Sequence, residues 1–307
     1  MTLNFYCLNH LSKFLKDLDH LNFCRLLDLK INVNNITPSY RLFMQNYIIE
    51  FYDTGYDLKE IVKHLKINPY QRLTQKFIRE FQDHIDWKCV SSFQEFSEEF
   101  IKEFADKVDW TEVSKSQRLS EGFIKEFQHA VDWYSISSCQ ELSEKCIIEF
   151  QDRVNWRQVS KRQALSEPFI RRFKDRIDWH YISEHQELSE GFIQEFENCV
   201  NWCLISRHQE ISEEFIRKFK DSVDWSDISS NQKLSEEFIK EFAERVDWRN
   251  IFSCQDVSCE FFKEFMNRIN WKKDWVYVEL PKEFIDIVDH AKTVCKFPKW
   301  SNDDVHF

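Results

Sequence analysis

Leu234-Ser235-Glu236-Glu237-Phe238-Ile239-Lys240-Glu241-Phe242-Ala243-Glu244-Arg245-Val246-Asp247-Trp248-Arg249-Asn250-Ile251-Phe252-Ser253-Cys254-Gln255-Asp256 reads as one unit of a helical repeat. Its tryptophan recurs at 87, 110, 133, 156, 179, 202, 225, 248 and 271, always 23 residues apart. Six positions before each tryptophan stands a phenylalanine, and immediately before it an Asp or Asn. A fixed period of this length is the signature of a solenoid or array. Positions below are counted from the tryptophan as zero.

Within a block, apolar residues fall at −10, −9, −6 and −2, as at Phe238, Ile239, Phe242 and Val246. At 100° per residue they share one arc of about 100°, the stripe of an amphipathic helix. Ser fills −13 in eight copies and Thr74 in the other, where a hydroxyl accepts from a free N–H of the first turn. Glu at −12 suits the positive end of the helix dipole. Leu at −14 and Ile at −9 are placed as the two arms of a hydrophobic staple. Pro168 falls in a first turn, where its missing N–H does little harm. This spacing predicts a helix of three turns. Asp or Asn at −1 then caps a second, shorter helix carrying Trp, the Ile or Val at +3 and the Gln at +7 on one face. With three glycines in the chain, the corners rely on Asp, Asn and Ser.

One such hairpin cannot bury its own apolar face, so its stability depends on stacking against its neighbours. The expected fold is therefore all-α, an α-solenoid of nine 23-residue helix-turn-helix repeats with helical N- and C-terminal caps. Residues 1–72 form a helical cap or small docking domain, 73–279 the repeats, and 280–307 a degenerate capping repeat and tail. In the N-terminal segment, the stretch from Leu11 to Leu29, Tyr40–Phe51 and Leu58–Leu65 read as helices, with a turn at Ile36–Ser39. Leu280-Pro281-Lys282-Glu283-Phe284-Ile285 keeps the −14, −10 and −9 residues of a tenth block, but Val294 stands in place of its tryptophan. In block nine, Asp274, Trp275 and Val278 replace the usual +3, +4 and +7 residues.

A net charge of −11 argues against wholesale binding of nucleic acid. No apolar run approaches the eighteen or so residues needed to span a bilayer, and no secretory leader is read at the N-terminus. Ten cysteines follow no framework of spacings and read as reduced thiols of a cytoplasmic protein. Position −8 is basic and −7 acidic in seven copies each, so two ribbons of opposite sign should run along a solvated face. Ser at +4 and Gln at +7 recur near the buried side and are placed to link repeats by a hydrogen-bond ladder. The tryptophan and phenylalanine positions are expected to be core.

There is no phosphate-cradling glycine loop and no His-Glu-x-x-His, so no catalytic residue and no cofactor is assigned. Cys199, Cys203 and His208 straddle two helices and lack a fourth ligand at zinc-site spacing, so no metal is assigned either. A residue held in every copy serves the stack, whereas one that varies is free for another task. The freest positions are +1, +2, +5 and +6 of the second helix. In mid-array they collect Arg157, Gln158, Lys161, Arg162, His180, Tyr181, His185, Arg207 and His208, a basic and aromatic patch on an acidic chain. Solenoids bind through one extended face, and Arg and Tyr are enriched at binding hot spots. The expected partner is a protein.

The pattern Leu-Ser-Glu-Glu-Phe-Ile-x-Glu-Phe-x-Asp-x-Val-Asp-Trp-x-x-Ile-Ser-x-x-Gln, matched over residues 73–279, resembles a tandem repeat of proteins of unknown function from giant DNA viruses of amoebae. That resemblance implies a viral origin and expression in host cytoplasm, and it implies no activity. The sequence reading is a non-enzymatic interaction scaffold or adaptor. The alternatives are a structural or virion-associated self-assembling component, and an F-box-like substrate adaptor acting through residues 1–66.

Overall fold

The computed structural model describes residues 16–27, 29, 31–63, 67, 70–269 and 284–285, and among these every regular element is a helix. Two compact units divide the chain, Met1–Asn155 and Trp156–Phe307, so the dividing line falls inside the repeat array. In each unit, helical hairpins stack in sequence order as an α-solenoid. Second helices pack on their neighbours: Trp87–Phe93 on Trp110–Ser116 and that on Trp133–Cys139 in the first unit. In the second unit the series runs Trp156–Arg162, Trp179–His185, Trp202–His208, Trp225–Asn231 and Trp248–Cys254. No described helix is long and apolar enough to cross a membrane.

Each block begins as the serine at −13 predicts. Ser235 accepts from Phe238 N–H at 3.2 Å, and the serines of the other repeats do the same. The first helix, however, is only six residues long, as in Glu236–Glu241, and not three turns. The N–H of Phe242 makes the last helical bond, to Phe238, and those of Arg245 and Val246 then both converge on the Phe242 carbonyl. The chain thus wraps once around the −6 carbonyl, leaving the −5 carbonyl without a helical partner. The tryptophan indole supplies one. Trp87, Trp110, Trp133, Trp179, Trp202, Trp225 and Trp248 each donate Nε1–H to the carbonyl five residues earlier, at 2.9–3.1 Å.

That bond places the tryptophan at the rim, which corrects its reading as core. The indole lies on the −6 phenylalanine of the next repeat, with centroids 4.8–5.0 Å apart, as at Trp133 and Phe150 or Trp110 and Phe127. Its other edge meets solvent, and only Trp248 among the described copies is buried. The true core is the −10, −9 and +3 set: Phe238, Ile239 and Ile251 are fully buried, and so are their counterparts Phe100, Ile101 and Val113, within a percent.

The ladder is present. Gln117 Nε2 donates to the carbonyls of Ser91 and Gln94 at 2.9 and 2.7 Å, and Gln140 Nε2 repeats this on Ser114 and Gln117. Gln140 Oε1 accepts from Leu119 N–H at 3.1 Å. The second unit carries the same rungs from Gln186 to Gln255. The +4 serine is a second rail. Ser114 Oγ donates to Trp110 O at 2.6 Å and accepts from Asp132 N–H of the next repeat at 2.9 Å. These bonds satisfy backbone groups buried at the repeat seam, where an unpaired group is costly.

Outside, the two charged ribbons lace together. Arg79 pairs with Glu103, Lys102 with Glu126, Lys125 with Glu149, Arg171 with Glu195 and Arg217 with Glu241, each from −8 to the −7 residue of the next repeat. Several of these cations also lie over the −10 ring of the next repeat, as Arg217 does over Phe238 at 5.0 Å. Exposed pairs of this kind contribute about 0–1 kcal/mol apiece. The −12 glutamate does more than face the dipole: Glu236 accepts from the N–H of Ser258, the cap of the next helix, at 2.6 Å. That backbone bond, with the Ser258 side chain, holds the Glu236 carboxyl below its ordinary range.

Repeat four departs at −10, where Cys146 replaces phenylalanine. Cys146 is 5% exposed, and burial followed by the charges of Glu121 and Glu149 pushes its thiol up to about 11. Cys146→Phe restores the ring that the other described repeats carry and is expected to raise stability by about 1 kcal/mol. A urea titration reads this as a higher midpoint with an unchanged slope; a lower midpoint would show that the site has closed around the smaller side chain.

The N-terminal helices are Asp17–Leu26, Pro38–Asn46, Ile48–Asp53 and Lys59–Val62. Thr37 caps the second, with Pro38 in its first turn, and the Asp17 carboxylate accepts from Thr37 N–H and Oγ1 at 2.7 and 3.0 Å. The expected Tyr40–Phe51 helix is broken at Tyr47, which sets Phe43 against both Tyr47 and Phe51, with centroids 4.7 and 6.1 Å apart. At the other end, Phe284 is buried and stacks on Phe262 at 4.3 Å, so the tenth block does contribute its −10 ring. The readings made at Leu11–Leu15, at the end of the Leu58–Leu65 helix, at Leu280 and Val294, and for the second helix of block nine lie outside the described residues.

Candidate interaction face

Because the ladders occupy +4 and +7 and the core takes +3, positions +1 and +6 of each described second helix turn outward, with +2 and +5 mostly half-buried beside them. Helix Trp156–Arg162 presents Arg157, Gln158, Lys161 and Arg162, and helix Trp179–His185 beside it presents His180, Tyr181 and His185. Tyr181 is the centre of this group. Arg157 Nη2 donates to Tyr181 Oη at 3.1 Å, with its guanidinium 5.4 Å above the ring. Lys161 Nζ lies 5.1 Å from the same centroid, and His185 stacks on the ring at 6.0 Å with a 5° tilt. His180 meets Tyr181 edge-on at 5.3 Å.

The face is less uniformly basic than the sequence suggests. Asp178 approaches Arg157 at 3.9 Å, and Glu184 lies 3.8 Å from His180 and 3.5 Å from His185. Arg207 is not free to meet a partner. Its Nε donates to Asp227 at 2.9 Å, and the Asp227 side chain is 12% exposed, so the pair is committed to the seam of repeats six and seven. The Asp227 hydrogen bond holds the guanidinium more firmly charged. His208 and Arg162 are exposed on their helices. Two cations of the patch, Arg157 and Lys161, therefore gather on Tyr181, and Arg162 is exposed at the end of the same helix. Sequence reasoning missed Asp227 because its position, +2, varies from copy to copy, with Cys89, Ser135, Tyr181 and Leu204 among its occupants.

The cysteine question resolves differently from its sequence form. Cys203 Sγ meets Asp224 at 3.5 Å and, with Asp227, forms a group of three possible ligand atoms within 4.8 Å of one another. Cys199 and His208 are not part of it. Desolvation and the Asp224 hydrogen bond push the Cys203 thiol up, away from the thiolate a metal would need. Arg207 already occupies Asp227.

Two features escaped the sequence reading. One is an apolar cleft of about 290 Å³ in the first unit, lined by Phe43, Tyr47, Phe51 and Tyr56 with Arg25, Glu50 and Thr54. The other is a cluster of arginines in repeats eight and nine. Compared with known protein families, curated proteins and solved structures, the chain matches none of them.

Proposed function

We propose that the protein is a non-enzymatic scaffold or adaptor that binds a protein partner along its second helices, in the cytoplasm of a host cell if the repeat resemblance marks a viral origin. The observation that supports this most is the division of labour within the repeat. Ladders and core hold the same positions in most copies, while the varying positions of neighbouring second helices lie in register and bring Arg157 and Lys161 onto Tyr181. Arg and Tyr at the centre of such a group are suited to act as anchors.

The test is affinity capture with cross-linking mass spectrometry, comparing wild type with Arg157→Glu, Lys161→Glu and Arg162→Glu combined. Arg207 is left intact, since reversing it would set a second carboxylate against Asp227 and confound binding with stability. A partner cross-linked to repeats four and five, and lost from the triple variant at an unchanged melting temperature, supports the reading. Recovery of the same partner by both proteins refutes the patch. A second reading, recruitment through residues 1–66, is favoured by the exposed Leu42 and Phe43 on the N-terminal helices. Leu42→Asp with Phe43→Asp would then abolish a capture that the triple variant leaves intact.

A further inference from the structure

An open cleft of about 410 Å³ lies in the second unit, where the turns of repeats eight and nine meet the start of helix Trp248–Cys254. Three guanidiniums line it: Arg245 and Arg268, both at −3 of their repeats, and Arg249 at +1. Ser226, Asp247 and Trp248 complete the walls that matter. Each arginine meets a carboxylate, and Arg245 also donates to the Lys220 carbonyl at 2.7 Å. Arg245 meets Asp221 at 2.7 Å, Arg268 meets Glu244 at 2.8 Å, and Arg249 meets Asp247 at 3.1 Å. The Asp221 and Glu244 side chains are 71% and 81% exposed, and ion pairs so exposed are weak and readily exchanged.

We propose that this cleft binds a phosphate ester carried on a side chain of a partner protein. A guanidinium has five N–H donors, more than one carboxylate accepts, so Arg245 and Arg268 can take a further acceptor, and Arg249 adds its charge. A monovalent carboxylate would gain little over the resident Asp and Glu. A phosphate monoester brings nearly two charges and three acceptor oxygens, and the planar fork of arginine matches it in paired bonds.

The surroundings point to one isolated phosphate rather than a nucleic acid strand. In repeat seven the corresponding −3 and +1 positions are Ser222 and Ser226, and Asp221, Asp224 and Asp227 stand in the same repeat. A polyanion following the stack would run into carboxylates. Trp248 is 9% exposed and offers no open ring face on which a base could stack. That the partner is a protein rests on the scaffold reading above; the anion site itself does not.

Isothermal titration calorimetry on the full chain tests the two separately. The probes are inorganic phosphate, a phosphoserine peptide with neutral flanks, the same peptide unphosphorylated, and single-stranded RNA. Phosphate is expected to bind in the millimolar range and the phosphopeptide more tightly, with no binding of the unphosphorylated peptide. Affinity should weaken below about pH 6, where the ester loses its second charge. Arg249→Gln with Arg268→Gln should weaken both anions by about tenfold or more, the loss expected for removing charge-assisted hydrogen bonds. Should that pair of changes disturb folding, Ser226→Glu places a negative charge in the cleft with every arginine retained and is expected to have the same effect. Absence of phosphate binding, or affinity unchanged in both variants, overturns the site. Phosphate binding without any gain for the phosphopeptide overturns the protein partner, as does tighter, salt-sensitive binding of RNA.

Discussion

Replacing Gln117 and Gln140 by alanine is expected to lower the unfolding free energy by about 2–3 kcal/mol for each rung. Both side chains are buried, at 6% and 8% exposure, and each amide ties backbone groups of neighbouring repeats together across the seam. Without Gln140, the carbonyls of Ser114 and Gln117 and the N–H of Leu119 lose their bonds at 2.8, 2.7 and 3.1 Å. An unpaired backbone group in such a place costs about 1–3 kcal/mol. The loss should appear as a lower melting temperature and a lower urea midpoint, with helical content at room temperature retained.

Gln140→Glu sharpens the test. The side chain keeps its size and its acceptor, but loses both donors and turns an anionic oxygen toward two carbonyl oxygens. Near neutral pH this change should cost at least as much as alanine. The introduced carboxyl is buried and its second oxygen faces two carbonyl oxygens, which outweighs the bond from Leu119 N–H, so its folded pKa lies above the unfolded Glu value of about 4.3. Its penalty is therefore relieved as pH falls through the raised folded value, and the variant should recover stability, relative to wild type, in mild acid. A glutamate variant as stable as wild type near neutral pH would show that the amide donors contribute nothing.

Phe252→Ala is expected to cost about 3–5 kcal/mol, the range for emptying a large aromatic site in a packed core. Phe252 stands at +4 in repeat eight, where the seven preceding copies have serine. It is fully buried, 5.6 Å from Trp248 and 4.8 Å from Phe262 by ring centroids, in a cluster that also holds Phe261 and Phe284. Restoring serine should be no remedy, because that hydroxyl replaces a ring packed among rings. Chemical denaturation measures both changes. A cost below about 1 kcal/mol for Phe252→Ala would mean that this end of the stack is not consolidated by aromatic packing.

The outward face illustrates what a repeat sequence can and cannot disclose. The residues at +1 and +6 were legible as exposed because their neighbours in the helix were legible as buried, whereas +2 and +5 are mostly half-buried. Their pairings were not. Arg207 and Asp227 are 20 residues apart, and Arg157 and Tyr181 are 24 apart. Whether each cation meets a carboxylate or a ring depends on how one hairpin is rotated on the next, and a single block carries no record of that rotation. The arginine cleft is hidden for the same reason, since Arg245 and Arg249 belong to repeat eight and Arg268 to repeat nine.

The 23-residue period, the serine and aspartate caps, the burial of Phe, Ile and Ile or Val at −10, −9 and +3, and the glutamine ladder were all determined by sequence. Each is a local or strictly repeated property: hydrophobic spacing picks a helix face, and a side chain that recurs in one buried position meets its own copy in the next repeat. Tertiary structure decided the short first helix, the tryptophan at the rim with its indole on the −5 carbonyl, and the bridge from Glu236 to the cap of the following helix. Those features depend on where the chain turns and which backbone groups it leaves unpaired, and unpaired groups are satisfied across space rather than along the chain.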